Sequence, residues 1–231
     1  MKIMSFNTQH CKNYITQKID FEVMAKAIKD CDADIVGLNE IRGKGIHPEF
    51  TAQTEMLSTL TGLNNHYFAK AIKFKWGPYG NAFISKYPIV KSETIPIPDP
   101  KVKRYDGYYE TRCILKVTLS NGLRVLVTHF GLNPDEQENA VKTVLENLEN
   151  EKCVLMGDFN LTPDNGLLNP IKAKMIDTAD FFIDKKSSFP SDNPNRKIDY
   201  IFVSPDINIV SADIPPIVAS DHRPHIAEII I

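Results

Sequence analysis

The sequence predicts an α/β domain built on mixed β-sheet, and three observations carry that expectation. Val/Ile-rich runs of strand length recur along the whole chain. Amphipathic helical patterns are interspersed among them, as a layered α/β architecture requires. Two of the runs, 113–119 and 124–128, are joined by Ser120-Asn121-Gly122-Leu123. Asn-Gly between strands marks a hairpin, so part of the sheet must be antiparallel.

Taken in order, the first strand is 2–6. Asp20 then caps a helix that carries Phe21, Met24, Ala27, Ile28 and Cys31 on one face. A strand at 35–38 is followed by a third helical pattern over 49–60 and a strand at 82–85. The Pro-rich stretch 95–100 reads as a loop before the hairpin strands. Asn133-Pro134 opens a helix with proline in its first turn, acidic residues at its positive end, and an apolar stripe of Val141, Val144, Leu145 and Leu148. Strands at 153–156, 200–203 and 225–231 complete the count. No repeat, linker or composition break divides residues 1–231, so one domain is expected.

Bulk properties exclude some classes. A hydrophobic content of 42% and a charged content of 24% are those of an ordinary globular protein. No tract is long and apolar enough to span a bilayer. Met1-Lys2-Ile3-Met4-Ser5-Phe6-Asn7 reads as a strand rather than a secretory leader, so a cytoplasmic location is expected, or a secreted one only if a leader is missing. A net charge of −2 gives no global attraction to nucleic acid. Cys11, Cys31, Cys113 and Cys153 form no C-x-x-C pair, which leaves them as buried, reduced side chains rather than zinc or redox ligands.

Chemistry concentrates at strand ends. Asn7 closes the first strand, Asn39-Glu40 the second, and Thr128-His129 the second hairpin strand. Gly157-Asp158-Phe159-Asn160 closes the next, where the glycine permits a sharp turn. Asp199-Tyr200 enters a strand, and Ser220-Asp221-His222 precedes the last one. Each cluster alone has a bland reading as a turn or cap. Together they form a chemically coherent set on a rigid scaffold. Glu40, Asp221, Asn7, Asp158 and Asn160 offer the hard oxygens that suit Mg²⁺ or Mn²⁺. His129 and His222 offer imidazoles for proton transfer or for donation to phosphoryl oxygens, with Asp199 as the orienting partner of His222.

With these residues the chain resembles the endonuclease/exonuclease/phosphatase superfamily of metal-dependent phosphoesterases. The resemblance covers essentially the whole sequence. It rests on Asn7, Glu40, Gly80-Asn81-Ala82-Phe83-Ile84-Ser85, Arg112, Thr128-His129, Gly157-Asp158-Phe159-Asn160, Ile198-Asp199-Tyr200 and Ser220-Asp221-His222. It implies a four-layer sandwich, two mixed sheets face to face with helices outside. It implies Glu40 as principal metal ligand, with Asn7 and Asp221 completing or supporting the shell around Mg²⁺ or Mn²⁺. Asp158 would orient or deprotonate the attacking water. Asn160 and His129 would bind the scissile phosphate, with Arg112 and Asn81 at the substrate. His222, paired with Asp199, would stabilise the transition state or act as acid/base. The sequence departs from abasic-site endonucleases at Thr8-Gln9, where no acidic residue follows Asn7, and at His129, where those enzymes use tyrosine.

The expected activity is hydrolysis of a phosphate ester of phosphodiesterase or nuclease type, with nucleic acid or nucleotide among the candidate substrates. A soluble phosphatase, a phospholipid phosphodiesterase and an inactive phospho-ligand binding module are the alternatives. Arg42, Lys44, Lys73, Lys75, Trp76, Tyr79, a basic aromatic insertion from Lys101 to Tyr109, Arg196, Lys197 and Arg223 suggest a positive rim for an anionic substrate. No Gly-x-Ser-x-Gly elbow supports a serine hydrolase.

Overall fold

Strand parity organises the molecule. The computed structural model describes residues 1–231. Its elements in chain order are β1 (Lys2–Asn7), α1 (Phe21–Asp30), β2 (Ile35–Arg42), α2 (Gln53–Thr61), β3 (Asn65–Phe74), β4 (Gly77–Ser85), β5 (Ile89–Pro96), β6 (Cys113–Leu119), β7 (Arg124–His129), α3 (Pro134–Asn147), β8 (Cys153–Asp158), α4 (Asn169–Lys172), β9 (Ile176–Asp177), β10 (Asp199–Val203), β11 (Asn208–Asp213) and β12 (His225–Ile230). The strands form two six-stranded sheets, ordered β11-β12-β1-β2-β4-β3 and β5-β6-β7-β8-β10-β9. One pair in each is parallel, β1 with β2 and β7 with β8, and the other pairings are antiparallel. The mixed-sheet expectation and the four-layer sandwich are both met.

Alternate side chains on each strand choose opposite layers, as a period of two demands. Ile3, Ile35, Val125, Val127, Val154, Met156, Ile201 and Ala227 fill the space between the sheets. Met4, Phe6, Val36 and Leu38 point the other way, under Met24, Ala27 and Ile28 of α1 and Leu57 of α2. Leu126, Leu155, Tyr200 and Phe202 pack beneath Ala140, Val141 and Val144 of α3 and Ile171 of α4. A core wetted on neither face explains why the inner strands read as continuous apolar runs.

Local chemistry sets the helix boundaries. Asp20 Oδ1 accepts from Val23 N at 3.1 Å and caps α1. At α3, Asn133 and Glu136 close a capping box ahead of Pro134. The helix expected from residue 49 begins only at Gln53, whose buried side chain holds Arg42 N and His10 O. Residues 95–96, read as loop, are the end of β5. Gly122 takes φ +85° in the hairpin between β6 and β7. All four cysteines are buried free thiols. No helix is long and apolar enough to cross a membrane.

Candidate active site

The apolar filling between the sheets stops at one end, and the same side-chain parity continues there in polar residues. On β1 the inter-sheet series Ile3, Ser5 ends in Asn7. On β7 the series Val125, Val127 ends in His129. On β8 the series Val154, Met156 ends in Asp158, and β10 enters through Asp199 above Ile201. Seven of the residues singled out in the sequence therefore meet at one mouth: Asn7, Glu40, His129, Asp158, Asn160, Asp199 and His222 are linked by the contacts below. Asp221 joins them beside His222.

Asp158 is the hub. It is 1% exposed. Its Oδ2 accepts from Asn7 Nδ2 at 3.0 Å, and its Oδ1 accepts from Asn160 N at 2.9 Å. His129 Nε2 and His222 Nε2 face that same Oδ2 from 3.5 and 3.7 Å. These separations exceed hydrogen-bond length, so each imidazole keeps that edge for another acceptor. Burial pushes the Asp158 carboxyl up to about 7, against the opposing charge of His222.

The two histidines are held in different states. Arg112 Nη1 donates to His129 Nδ1 at 2.9 Å, so Nδ1 must be the lone-pair nitrogen and Nε2 must carry the proton. Burial, reinforced by the Arg112 charge, holds His129 well below the usual histidine range, hence neutral. Arg112 is itself gripped by Glu110 at 2.6 Å. His222 Nδ1 instead donates to Asp199 Oδ2 at 2.8 Å. Burial alone would lower its pKa, but Asp199 and Asp158 outweigh it and push His222 up to about 10. The mouth thus contains one neutral N–H donor and one cationic donor.

Glu40 and Asp221 are half-buried beside this pair. Glu40 has φ +61°, a left-handed backbone at an irregularity in the β2–β4 pairing. Such a conformation costs a non-glycine residue roughly 1–2 kcal/mol. Glu40 Oε1 accepts from Asn7 Nδ2 at 3.1 Å. Asp221 accepts from Ser220 Oγ at 3.0 Å; burial pushes its carboxyl up, with the Glu40 charge adding to the effect and His222 opposing it. Two carboxylates that repel each other without an intervening cation are a fitting donor set for a hard divalent ion. Asp158, Asp199 and His222 also lie within 4.8 Å of one another. That trio fits an ion less well, because an imidazolium has no lone pair to give.

Asn7 supports rather than faces this donor set: its amide N–H groups go to Glu40 and Asp158, and its Oδ1 accepts from Gln9 N. Asn160, at φ +50°, donates from Nδ2 to Phe130 O at 3.1 Å and retains a second N–H. Asn81, expected at the substrate, is placed elsewhere. It is 2% exposed, donates to Cys113 O and accepts from Asn39, so it ties the two sheets together. Arg112 likewise reaches His129 and Glu110 rather than the open mouth. Lys197, expected on the positive rim, is buried against Asp177 at 3.4 Å, and Arg42 is paired with Glu49.

Sequence reasoning assigned no role to three participants, of which only Asn39 stood in a cluster it singled out. Asn39 donates to Asn81 and to Thr128 O and accepts from Asp158 N, which makes it the clamp between β2 and β8. Its signal was parity with Ile35 and Gly37. Glu110 is set by Glu136 through its backbone N–H, a contact between distant segments without local signature. His10 lies in a 3₁₀ turn (Gln9–Cys11) whose three residues all have positive φ, and its Nε2 stands 3.6 Å from Glu40 Oε2.

Known structures share this fold. Comparison with curated proteins finds no match by sequence. Among solved structures, an endonuclease/exonuclease/phosphatase of Bacteroides vulgatus superposes with a TM-score of 0.76 at 21% identity, over 100% of this chain and 98% of that one. A mannosyl-6-phosphatase of Bacteroides thetaiotaomicron gives 0.75 at 17% identity, over 100% of both chains. The human Nocturnin catalytic domain with a bound sulfate gives 0.71 at 17%, over 100% of this chain and 94% of that one. The sequence pattern of the Endonuclease/Exonuclease/phosphatase family, whose members are divalent-metal-dependent phosphoester hydrolases, matches residues 4–222. With the two facing sheets and the polar mouth between them, that match over nearly the whole length means that this chain belongs to the Endonuclease/Exonuclease/phosphatase family.

Proposed function

We propose that this chain is a hydrolase of phosphate esters, dependent on Mg²⁺ or Mn²⁺. The observation that carries the reading is the convergence of two imidazole Nε2 atoms, one neutral and one cationic, on Asp158 Oδ2. A general base flanked by two donors matches an anionic centre attacked by water. Glu40 and Asp221 would hold the metal, with Asn7 orienting Glu40. The bound ion would supply Lewis-acid polarisation of a phosphoryl oxygen and charge neutralisation on the leaving side.

The chain's own residues divide the remaining work. Asp158 accepts a proton from the attacking water through Oδ2, the oxygen that Asn7 orients. His129 donates Nε2–H to a phosphoryl oxygen; Arg112 maintains that tautomer by occupying Nδ1. Asn160 adds its free amide N–H. His222, charged and held by Asp199, stabilises the developing negative charge from the other side. Preorganised donors of this kind are each worth on the order of a hundredfold or more in turnover.

The substrate side favours a soluble phosphorylated molecule. Trp76, in the β3–β4 turn, and Tyr105 and Tyr108, between β5 and β6, are exposed aromatics able to stack on a sugar or base. Lys75 and Lys103 lie over the Trp76 and Tyr109 rings, which joins a positive charge to an aromatic face in each segment. The mannosyl-6-phosphatase, equal in span to this chain, makes a sugar phosphate monoester a necessary member of any substrate panel.

The test is steady-state kinetics with Mg²⁺ or Mn²⁺ on sugar phosphates, nucleic acids, inositol phosphates, sphingomyelin and nitrophenyl esters. Glu40→Ala, Asp158→Ala and His222→Ala should each lose at least a hundredfold in kcat on the best substrate, and EDTA should abolish turnover. Near-normal rates in all three variants would remove the reading.

A further inference from the structure

The His10 ring is fixed in a way that the reaction described above does not use. Its Nδ1 lies 3.2 Å from the Glu40 carbonyl oxygen. A carbonyl oxygen can only accept, so Nδ1 carries the ring proton and Nε2 is left as the lone-pair nitrogen. That nitrogen stands 3.6 Å from Glu40 Oε2. A lone pair facing a carboxylate oxygen is unfavourable unless a cation lies between them. The strained turn makes the placement costly as well: Gln9, His10 and Cys11 have φ +47°, +59° and +59°, each roughly 1–2 kcal/mol for an L-residue outside glycine. The ring is further seated edge-on against Tyr79, 5.4 Å between centroids. Gln53 Nε2 holds the His10 carbonyl at 2.9 Å.

We propose that His10 Nε2 is a metal ligand beside Glu40 Oε2, giving this chain a mixed nitrogen–oxygen site that favours Mn²⁺ over Mg²⁺. The inference rests on the metal-dependent reading of the site. Two donors that share one octahedral ion at bond lengths of 2.0–2.2 Å stand about 3 Å apart. Closing the observed gap needs a movement of only about half an ångström. The Nδ1–H bond to a backbone carbonyl is the usual outer partner of a metal-bound imidazole, fixing tautomer and ring direction. Mg²⁺ is bound through oxygen ligands and gives up its water reluctantly, whereas an imidazole nitrogen is a ligand of first-row transition ions, the class to which Mn²⁺ belongs.

The experiment is pulsed EPR on the full chain loaded with Mn²⁺, together with calorimetric Kd values for Mn²⁺ and Mg²⁺. Wild type should show ¹⁴N modulation from a directly bound imidazole. His10→Gln and His10→Ala should lose it and bind Mn²⁺ on the order of tenfold more weakly, while Mg²⁺ affinity changes less than threefold. His129→Gln should retain the modulation, which separates the ligand from its neighbours. Wild-type Mn²⁺ binding without ¹⁴N modulation, or equal losses for both metals in folded variants, overturns the assignment but leaves the hydrolase reading standing. Failure of wild type to bind either ion, with phosphoesterase activity unaffected by EDTA, overturns both. The wild-type spectrum decides the matter even if a variant does not fold.

Discussion

At the scale of the residue, the two active-site histidines differ because their Nδ1 atoms meet opposite partners. Arg112 donates to one, and the Asp199 carboxylate accepts from the other. A pH profile follows. Turnover requires Asp158 unprotonated, so the rate should rise through about 7, or lower once a cation sits nearby. It requires His222 protonated, so the rate should fall as pH passes about 10. Asp199→Asn should move the alkaline limb down toward the free-imidazole value and cut kcat on the order of a hundredfold. The log kcat/KM profile of both proteins measures this, and an unmoved alkaline limb in Asp199→Asn would separate His222 from it. Asp158 and Glu40 were legible because each follows the apolar run of an inner strand, and His222 because Ser220-Asp221-His222 directly precedes another. The roles of Asn81 and Arg112 were not, because amide and guanidinium groups serve equally between sheets and at a phosphate. Only their partners decide.

At the scale of the element, legibility followed position in the sheet. The eight strands anticipated from sequence are the eight inner ones, β1, β2, β4, β6, β7, β8, β10 and β12. The four not anticipated, β3, β5, β9 and β11, are the four edges. Inner strands are apolar on both faces. Edge strands such as Lys91-Ser92-Glu93 in β5 carry polar, exposed residues that deter further pairing and erase the hydrophobic signal. Gly157 belongs to an inner pair and shows how tight that pairing is. It has φ +145°, and a Cβ there would lie 1.8 Å from Thr128 O on β7. Gly157→Ala should therefore destabilise the fold by roughly 3 kcal/mol or more and pull Asp158 out of register. Urea unfolding followed by circular dichroism measures it, and a change under 0.5 kcal/mol would mean that β7 and β8 have room to separate.

At the scale of the whole molecule, burial of titratable groups at one end of the sandwich should make it acid-sensitive. His129 and His225 are held well below the ordinary histidine range, chiefly by burial, and His10 is lowered in the same direction. Below about pH 6.5 the unfolded chain takes up protons at these positions that the folded chain refuses, so stability falls as pH falls. Asp158 works the other way. Its folded pKa of about 7 exceeds the unfolded value, so it favours the folded state more as pH drops through 7. His222, raised to about 10 in the folded state, opposes the fall near pH 6.5 and ceases to contribute as the unfolded ring becomes protonated toward pH 5. The carboxyls of Asp221 and Glu110, also raised chiefly by burial, oppose the histidines in the same direction as Asp158 but nearer the acid end; with two rings held well below the usual range, a net loss of stability is expected between pH 6.5 and 5. Denaturant midpoints across that window, in EDTA, provide the check; a flat or rising trend would mean that these rings are protonated in place.

The sheet orders carry one further consequence. Each sheet consists of an antiparallel pair, a central parallel pair bridged by a helix, and a second antiparallel pair. The two central units, β1–α1–β2 and β7–α3–β8, face one another across the inter-sheet core, and each delivers its last residues to the common mouth: Asn7 and Glu40 from one, His129 and Asp158 from the other. The molecule is a pair of like halves in which neither owns a working centre. Its chemistry exists only at the seam, so anything that lets the halves slide by a single residue spacing abolishes catalysis before it unfolds either one.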